Sequence, residues 1–589
     1  MSGRHRAGRP PSAPEPAPTP PTPPTEPPPP PPPPPKSAGR SLLASSAIMA
    51  AGTVFSRLSG LIRALLLAAA LGNQLLAEQF AIGNTIPNMV YILLAGGVFN
   101  AVLVPQLVRA MRSHDDGGEA YTNRVVTLAG LFLGVVTVLL VLGAPWVMAV
   151  YLDPSWSTPE LADQRASVIA FARYCLPQVF FYGMFVLVGQ ILNSRGRFGP
   201  MMWAPIANNA IAIGVLLAYL VLYGPAGGDA VNGAYTGPQE VLLGVGSTFG
   251  IVAQLLILVP YLRAAGFRFR PRFDFRGSGL GHTLRLGSWT VLFVLVNQLT
   301  ATMVVRLASS GSAASVGSGA GAEGAGTGYV VYSTMFLVAM VPHSVITVSL
   351  ATAALPTLSA SAADGDLRSV ATTLASVLRR ALSLMLPLGL LLPVLAPDAA
   401  RAAAFGAVSE SYELFVPTLA LFGPAVVLFT VHYLVLRGFY ALERTRTVFF
   451  VQCFVAATNV AVAVTGVALV PAEYTSPALV VAYGASYAVG SLISYSVLRR
   501  TLGGLETRAL LGFLVRLGTA VAVSTGVTLG VALLLRDLAP DPGQALAALR
   551  AAGLTVLDLG LLLVLGRWLR VSELADVAGL LTRRLRRRR

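Results

Sequence analysis

Charged side chains are scarce in this chain. Of its 589 residues only 12% are Asp, Glu, Lys or Arg, while 54% are hydrophobic. A soluble protein carries about 25% charged residues, so a water-facing surface cannot be built from this supply. With a mean hydropathy of +0.69, lipid must cover much of the outside. Cysteine is scarcer still. Cys175 and Cys453 both lie in apolar runs, which excludes a disulfide scaffold and a thiolate metal cluster. The five histidines (His5, His114, His282, His343, His432) never stand at zinc-ligand spacing, so no metal site is expected. No glycine-rich loop precedes a Lys-Ser/Thr pair, and the apolar segments hold neither paired carboxylates nor a nucleophile elbow. The expectation is a protein that is not an enzyme and needs no cofactor.

The basic residues outnumber the acidic ones, 42 against 26, for a net charge of +16. Lys36 is the single lysine, so the excess is arginine. A pI near 10.3 in a soluble protein would point to nucleic acid. These arginines instead sit between hydrophobic segments, as orientation in a membrane requires, and nucleic acid is not an expected partner.

Pro20 to Pro35 is proline broken only by Thr22, Thr25 and Glu26, a polyproline II spacer or disordered tail. No signal peptide is read, because the first apolar run comes late and leads into further spans. From Leu42 onward, apolar stretches of about 20 residues recur, each long enough to cross a bilayer as a helix. Fourteen spans are predicted: 43–71, 80–108, 123–151, 167–193, 200–223, 239–262, 283–308, 329–357, 369–396, 412–437, 447–470, 476–498, 509–535 and 547–568. The fold class is thus all-α integral membrane. Ser309 to Gly328 reads as a flexible external loop, rich in Gly, Ala and Ser.

Alternate connections carry the arginines: Arg109, Arg112 and Arg124; Arg195 and Arg197; Arg263 to Arg276; Arg368, Arg379 and Arg380; Arg444 and Arg446; Arg499, Arg500 and Arg508. Positive charge stays on the cytoplasmic side, which places both termini in the cytoplasm. The terminal arginines 583, 584 and 586–589 would rest on anionic inner-leaflet lipid.

Two short matches recur at nearly one offset. GQILNSRGR (189–197) pairs with GFYALERTR (438–446), and VLVPQL (102–107) with AALPTL (353–358). They suggest two six-helix lobes in parallel repeat, related by an axis along the membrane normal. The expected domains are a proline-rich cytoplasmic tail (1–40), an N-terminal lobe (41–264), a C-terminal lobe (265–500), two further helices (501–570) and a basic tail (571–589).

The chemistry rests on charge inside the membrane. Arg57 and Arg63 lie in the first span, in FSRLSGLIR. A guanidinium at mid-membrane costs about 2.5–3.5 kcal/mol even on the lenient insertion scale, so each must face a wet cavity, a partner or an anionic ligand, or snorkel to an interface. Six residues apart on an ideal helix they point about 120° from each other; a bend at Ser59-Gly60 would let both approach one cavity. Arginine suits phosphate, because its planar fork donates to two oxygens at once. Arg306 and Arg173 sit where snorkelling serves. Glu78 at the start of the second span, and Asn84, Asn88 and Asn100 within it, stand beside the breakers Pro87 and Gly96-Gly97, polar groups suited to a cavity-lining, movable helix or to helix–helix hydrogen bonds. Asn297 and Gln298 in the seventh span, and Pro342-His343 in the eighth, are further cavity-lining candidates.

GTVFSRLSGLIR (52–63), NTIPNMVYILLAGGVFNAVLVPQLVRA (84–110), ILNSRGRFGPMMWAP (191–205) and RGFYALERTRT (437–447) together resemble the MurJ/MviN family of the multidrug/oligosaccharidyl-lipid/polysaccharide exporter superfamily. The resemblance runs from about Ser41 through the twelfth span. It implies a flippase for lipid II, the undecaprenyl-diphosphate-linked peptidoglycan precursor, with two lobes in a V around a cavity and a tail groove on the last two helices. Arg57 and Arg63 match arginines that the resemblance assigns to the diphosphate-sugar headgroup, and Glu78 falls where the family often has an acid. Where members place an arginine after Pro-Asn this chain has Tyr91, and where they place a basic and an acidic residue early in the eighth span it has Leu337 and Met340. Spans seven, eleven and twelve hold no carboxylate, so no sodium site of that kind is expected. Two other readings remain: an exporter of a different polyprenyl-linked glycan precursor, and a non-transporting membrane scaffold that recruits cell-wall synthesis proteins. Retention of the costly Arg57 and Arg63 argues against the scaffold.

Overall fold

The computed structural model describes residues 36–93, 118–274, 280–317 and 326–574. The chain divides into two units, Met1–Ile48 and Met49–Arg589. The second carries α1 from Met49 onward and every later helix. Pro20–Pro35, Gly96-Gly97, Asn100, Arg109, Arg112 and the terminal arginines lie outside the described residues.

Every described element is helical. The first half of the chain forms α1 (Lys36–Leu71), α2 (Leu75–Gly83), α3 (Thr85–Leu93), α4 (Glu119–Leu142), α5 (Ala144–Tyr151), α6 (Ala162–Cys175), α7 (Gln178–Ser194), α8 (Gly199–Tyr223) and α9 (Gly237–Ala264). The second forms α10 (Leu280–Gly317), α11 (Tyr329–Pro342), α12 (Val348–Ala363), α13 (Leu367–Ala402), α14 (Val416–Ala441), α15 (Thr445–Leu469), α16 (Thr475–Thr501), α17 (Thr507–Leu538) and α18 (Gln544–Trp568). Twelve helical stretches among the described residues are long and apolar enough to cross a membrane, and they match the third to fourteenth predicted spans. The predicted first span lies in α1, and α2–α3 open the second.

The helix breaks fall at residues that disfavour continuous helix. Asn84 ends α2 and Gly143 separates α4 from α5. Pro177 stands between α6 and α7, where it cannot donate to the preceding turn. After Pro342 a single π-turn, His343–Thr347, joins α11 to α12, an irregularity common at functional hinges. The start of α9 is fixed by a capping box between Thr236 and Gln239.

Water does not drive helix association inside a bilayer; close packing does. A Cβ on Gly423 of α14 would stand 3.0 Å from the Leu392 Cβ and 3.2 Å from the Gly389 carbonyl carbon of α13. The glycine pair is what lets these two backbones touch. The cores follow the chain. One gathers Leu133, Phe185, Leu187 and Leu258 from α4, α7 and α9; another gathers Leu358, Leu374, Phe439 and Leu498 from α12, α13, α14 and α16. Apolar contacts between the halves run through Ile86 of α3 with Val305 of α10, and through Ala68 of α1.

The expected external loop Ser309–Gly328 is corrected in its first part. Ser309 to Gly317 continue α10 as helix, held by Trp156, whose Nε1 donates to the Ser309 carbonyl at 2.8 Å, and by the Asp153 amide, which donates to Ser309 Oγ at 2.9 Å. Small polar residues mimic a linker in composition, yet Ser309 and Ser312 are buried against the first half.

Candidate functional site

A cavity of about 530 Å³ lies where α1–α3 of the first half meet α10, α11, α15 and α16 of the second. Arg63, Asn84, Asn88, Asn297 and Gln298 all line it. Residues far apart in sequence thus share one polar space, with Arg63 as its cation. Leu337 occupies part of the wall, and Tyr332, Phe336, Tyr483 and Tyr487 form an aromatic side.

Amide side chains hold this wall. Gln298 Nε2 donates to the Met89 carbonyl at 2.7 Å, tying α10 to α3 across the two halves. Gln452 Nε2 donates to Asn297 Oδ1 at 2.9 Å, tying α15 to α10. Asn84 Oδ1 accepts from Gln178 Nε2 at 3.1 Å, and the same amide reaches Thr248 Oγ1 at 3.2 Å. Asn88 is exposed to the cavity, and the buried Asn459 Oδ1 in its wall has no partner. Such a lining offers donors and acceptors to a polar headgroup while its own backbone stays satisfied.

Arg57 stands apart from this lining. α1 runs through Ser59-Gly60 as continuous helix. Asn209 of α8 clamps this stretch, donating to the Ser56 carbonyl at 3.0 Å and to Ser59 Oγ at 2.8 Å. Gly52 packs under Trp203, whose Nε1 would be 3.0 Å from a Cβ there. Among the described residues, Arg57 and Arg437 of α14 both stand near enough to His343 to act on its ring electrostatically.

Two candidates take other roles. Glu78 does not line the cavity. It is 1% exposed, and its Oε1 and Oε2 accept from the backbone amides of Tyr329 at 2.6 Å and Val330 at 2.8 Å. The reason is local: the N-terminal amides of α11 lack helical partners, and an anion satisfies both charge and hydrogen bonds there. His343 is likewise outside the lining. Its Nδ1 lies 2.8 Å from Thr430 Oγ1, and its ring packs on Phe429 and Tyr433.

Sequence reasoning passed over Arg437. Its guanidinium stacks on the Tyr433 ring at 4.3 Å, and its buried Nε has no partner. The predicted tenth span ended at this residue, which made it interfacial. α14 continues a full turn further to Ala441. Asn209 was also missed; the Asn208-Asn209 pair in an apolar helix gives no sign of which neighbour either side chain clamps. Among the described residues no group of three or more His, Cys, Asp and Glu is placed to hold a metal.

A multi-pass helical membrane protein with a polar cavity between its two halves has the architecture of a membrane transporter. The family model described as "Lipid II flippase MurJ" matches residues 67–539. The chain belongs to the MurJ family. Arg57 and Arg63 precede the matched segment.

The probable lipid II flippase MurJ of Rhizobium tropici is 25% identical over 486 residues, covering 80% of this chain and 86% of that protein. That of Rhizobium meliloti is 27% identical over 438 residues, covering 72% and 75%. The match to that of Haemophilus influenzae, 26% identical over 269 residues, spans 44% of this chain and only about half, 49%, of that protein. Among solved structures, a lipid II flippase MurJ in an inward closed conformation superposes with a TM-score of 0.67 at 15% identity, over 89% of this chain and 99% of that one. An inward-facing multidrug resistance MATE transporter superposes at 0.59 with 15% identity, over 77% and 96%. These two likenesses speak for the fold.

Proposed function

We propose that this chain flips lipid II across the bacterial cytoplasmic membrane by alternating access, with Arg63 and Arg57 as the cations for its diphosphate headgroup. Family membership supports the substrate. The observation that carries the site is Arg63 in a polar cavity at the seam of the two halves, where an anionic headgroup finds a bidentate donor and a ring of amides. The likeness to MATE-type folds supports alternating access. The segregation of the cores supports two lobes, 41–264 and 265–500, that rock about the seam.

In this reading the arginine-rich connections face the cytoplasm, and both termini with them. The headgroup enters from that side, the lobes rock, and it leaves outward while the lipid tail stays in the membrane beside α17 and α18. A net anion moving outward is helped by a potential negative inside.

The test is complementation of a strain depleted of its lipid II flippase. Growth with lysis prevented is expected from the wild-type chain. Failure to complement by a stably inserted protein would move the substrate to another polyprenyl-linked glycan precursor. Orientation is tested by thiol labelling: Gly227→Cys should react with an impermeant reagent from outside intact cells and Asp364→Cys should not. The reverse pattern would overturn the orientation.

A further inference from the structure

α17 and α18 carry one fully buried carboxyl that the transport reading does not use. Asp558 is fully buried, fourteen residues into α18 and so about 21 Å along its axis at 1.5 Å per residue. It belongs to a buried stripe, Leu554, Asp558, Leu562, at helical i, i+4 spacing. Leu554 packs with Leu391 and Val394 of α13, and Leu562 with Leu382, Leu386 and Leu390. Apolar layers therefore close the site above and below.

What faces the carboxyl from α17 is a set of hydroxyls. Thr525 Oγ1 lies 3.2 Å and Thr528 Oγ1 3.4 Å from Asp558 Oδ1. Each hydroxyl has one proton to give. That of Thr528 goes to the Ser524 carbonyl at 2.9 Å, and that of Ser524 to the Val521 carbonyl at 3.2 Å. Thr525 has no such carbonyl and donates to Oδ1, Thr528 shares its proton between the Ser524 carbonyl and Oδ1, and Asp558 Oδ2 is buried with no partner. The charged groups on the same helix are Arg550, eight residues away and paired with Asp398, and Arg567, nine residues away. From α13 the residues packed on this stripe are apolar.

An ionised carboxylate sealed at mid-membrane among neutral hydroxyls, with no cation beside it, lacks the partners that buried charge demands. A protonated carboxyl fits. Its O–H supplies the donor that Thr528 Oγ1 lacks on that side, while Thr525 donates to the acid. We propose that Asp558 is a membrane-embedded proton site, occupied when α17 and α18 pack as they do here, and that loss of the proton loosens this helix pair. The site does not depend on the headgroup reading.

Asp558→Asn keeps the shape and a donor while removing the titration, which separates a proton site from a helix–helix hydrogen bond. Purified full-length protein in lipid nanodiscs should show the infrared carbonyl band of a protonated carboxyl at neutral pH. Part of that band should be missing from Asp558→Asn. Melting temperature should fall for the wild type as pH rises from about 4, where the unfolded carboxyl loses its proton, because the folded state still holds the proton that the unfolded chain has lost. The difference between wild type and Asp558→Asn should follow that fall. An unchanged band in the variant, or melting temperatures that track each other throughout, overturns the proposal. A melting temperature raised by sodium chloride and not by choline chloride, with no difference band, overturns the proton in favour of a sodium ion.

Discussion

The carboxylate of Glu78 caps the first turn of α11 at Tyr329, through a 2.6 Å hydrogen bond from that residue's amide. An acid that sits close in sequence to the two intramembrane arginines is thus spent on joining the halves of the chain. Gly328 fits the same arrangement, since a Cβ there would lie 2.7 Å from Glu78 Oε1. Among the described residues the cavity wall consequently has Arg63 and no carboxylate, a balance that suits an anionic guest better than a cationic one.

Glu78→Ala should lower stability without changing what the cavity binds. Hydrogen bonds to charged groups are worth about 1.5–3 kcal/mol each, so losing two costs roughly 3–6 kcal/mol. Glu78→Gln keeps one carbonyl oxygen and should lose about half as much. Thermal unfolding in detergent reads this order, wild type above Gln above Ala; three equal melting temperatures would show that the cap adds nothing to stability.

Asp398 makes a second prediction. It is 1% exposed and pairs with Arg536 of α17 at 2.9 Å and Arg550 of α18 at 2.5 Å. Both arginines also donate to backbone carbonyls, Arg536 to Val394 and Arg550 to Leu535 and Ala539. This knot fastens α17 and α18 to α13. Breaking a buried ion pair by removing one partner costs about 3–5 kcal/mol, so Asp398→Ala should free the helix pair. Faster trypsin cleavage between residues 536 and 550 is the expected sign, and wild-type resistance would show that apolar packing alone secures it.

The helices were legible because apolar runs of bilayer length are a strong signal, and Pro342 stood out at the break in the eighth span; the break at Pro177 went unread. The cavity was partly legible: Arg63, Asn84, Asn88, Asn297 and Gln298 are polar residues that an apolar span carries at a cost. Sequence does not show which way a helix face turns, so Glu78 and Arg63, both in the opening spans, look alike although one caps a helix and the other faces a cavity. Nor does it show length at a helix end, which hid Arg437, or which hydroxyls a partner helix presents, which hid Asp558. Composition misled at Ser309–Gly317, where burial of small residues looks the same as flexibility.

The segment 268–274 carries a prediction about pH. It runs beside α4, with the Arg270 amide donating to Asn123 Oδ1 at 2.8 Å and the Arg272 amide to Thr127 Oγ1 at 3.0 Å. At its end Asp274 pairs with Arg124. The hydrogen bond from Arg124 holds the Asp274 carboxyl below its ordinary range. A lowered value stabilises the fold above the unfolded carboxyl's titration and is lost as pH falls through the folded one. Since Asp274 is exposed, screening makes this contribution slight. Asp274→Asn should therefore melt with the wild type at neutral pH in high salt. Asn123→Ala, which removes a buried acceptor, should cost about 1 kcal/mol at any salt concentration. A salt-dependent loss larger for Asp274→Asn than for Asn123→Ala would reverse the ranking.

Arg63 carries the sharpest prediction. If it grips a diphosphate, a positive charge alone will not replace it, because lysine offers a point charge without the planar fork. Two charge-assisted hydrogen bonds at about 1.5–3 kcal/mol each correspond to roughly a hundredfold or more in affinity. Arg63→Ala should abolish complementation while the protein still accumulates in the membrane, and Arg63→Lys should be impaired less. Arg57 is outside the cavity lining; if it meets the diphosphate elsewhere along the path, Arg57→Ala should also fail to complement at normal abundance. A structural role forecasts otherwise. An arginine that only snorkels is replaced well by lysine, and one that only ties helices together lowers protein level when truncated. Arg63→Ala with normal abundance and full complementation would remove the headgroup from this cavity. The same result for Arg57 alone would leave Arg63 as its sole cation.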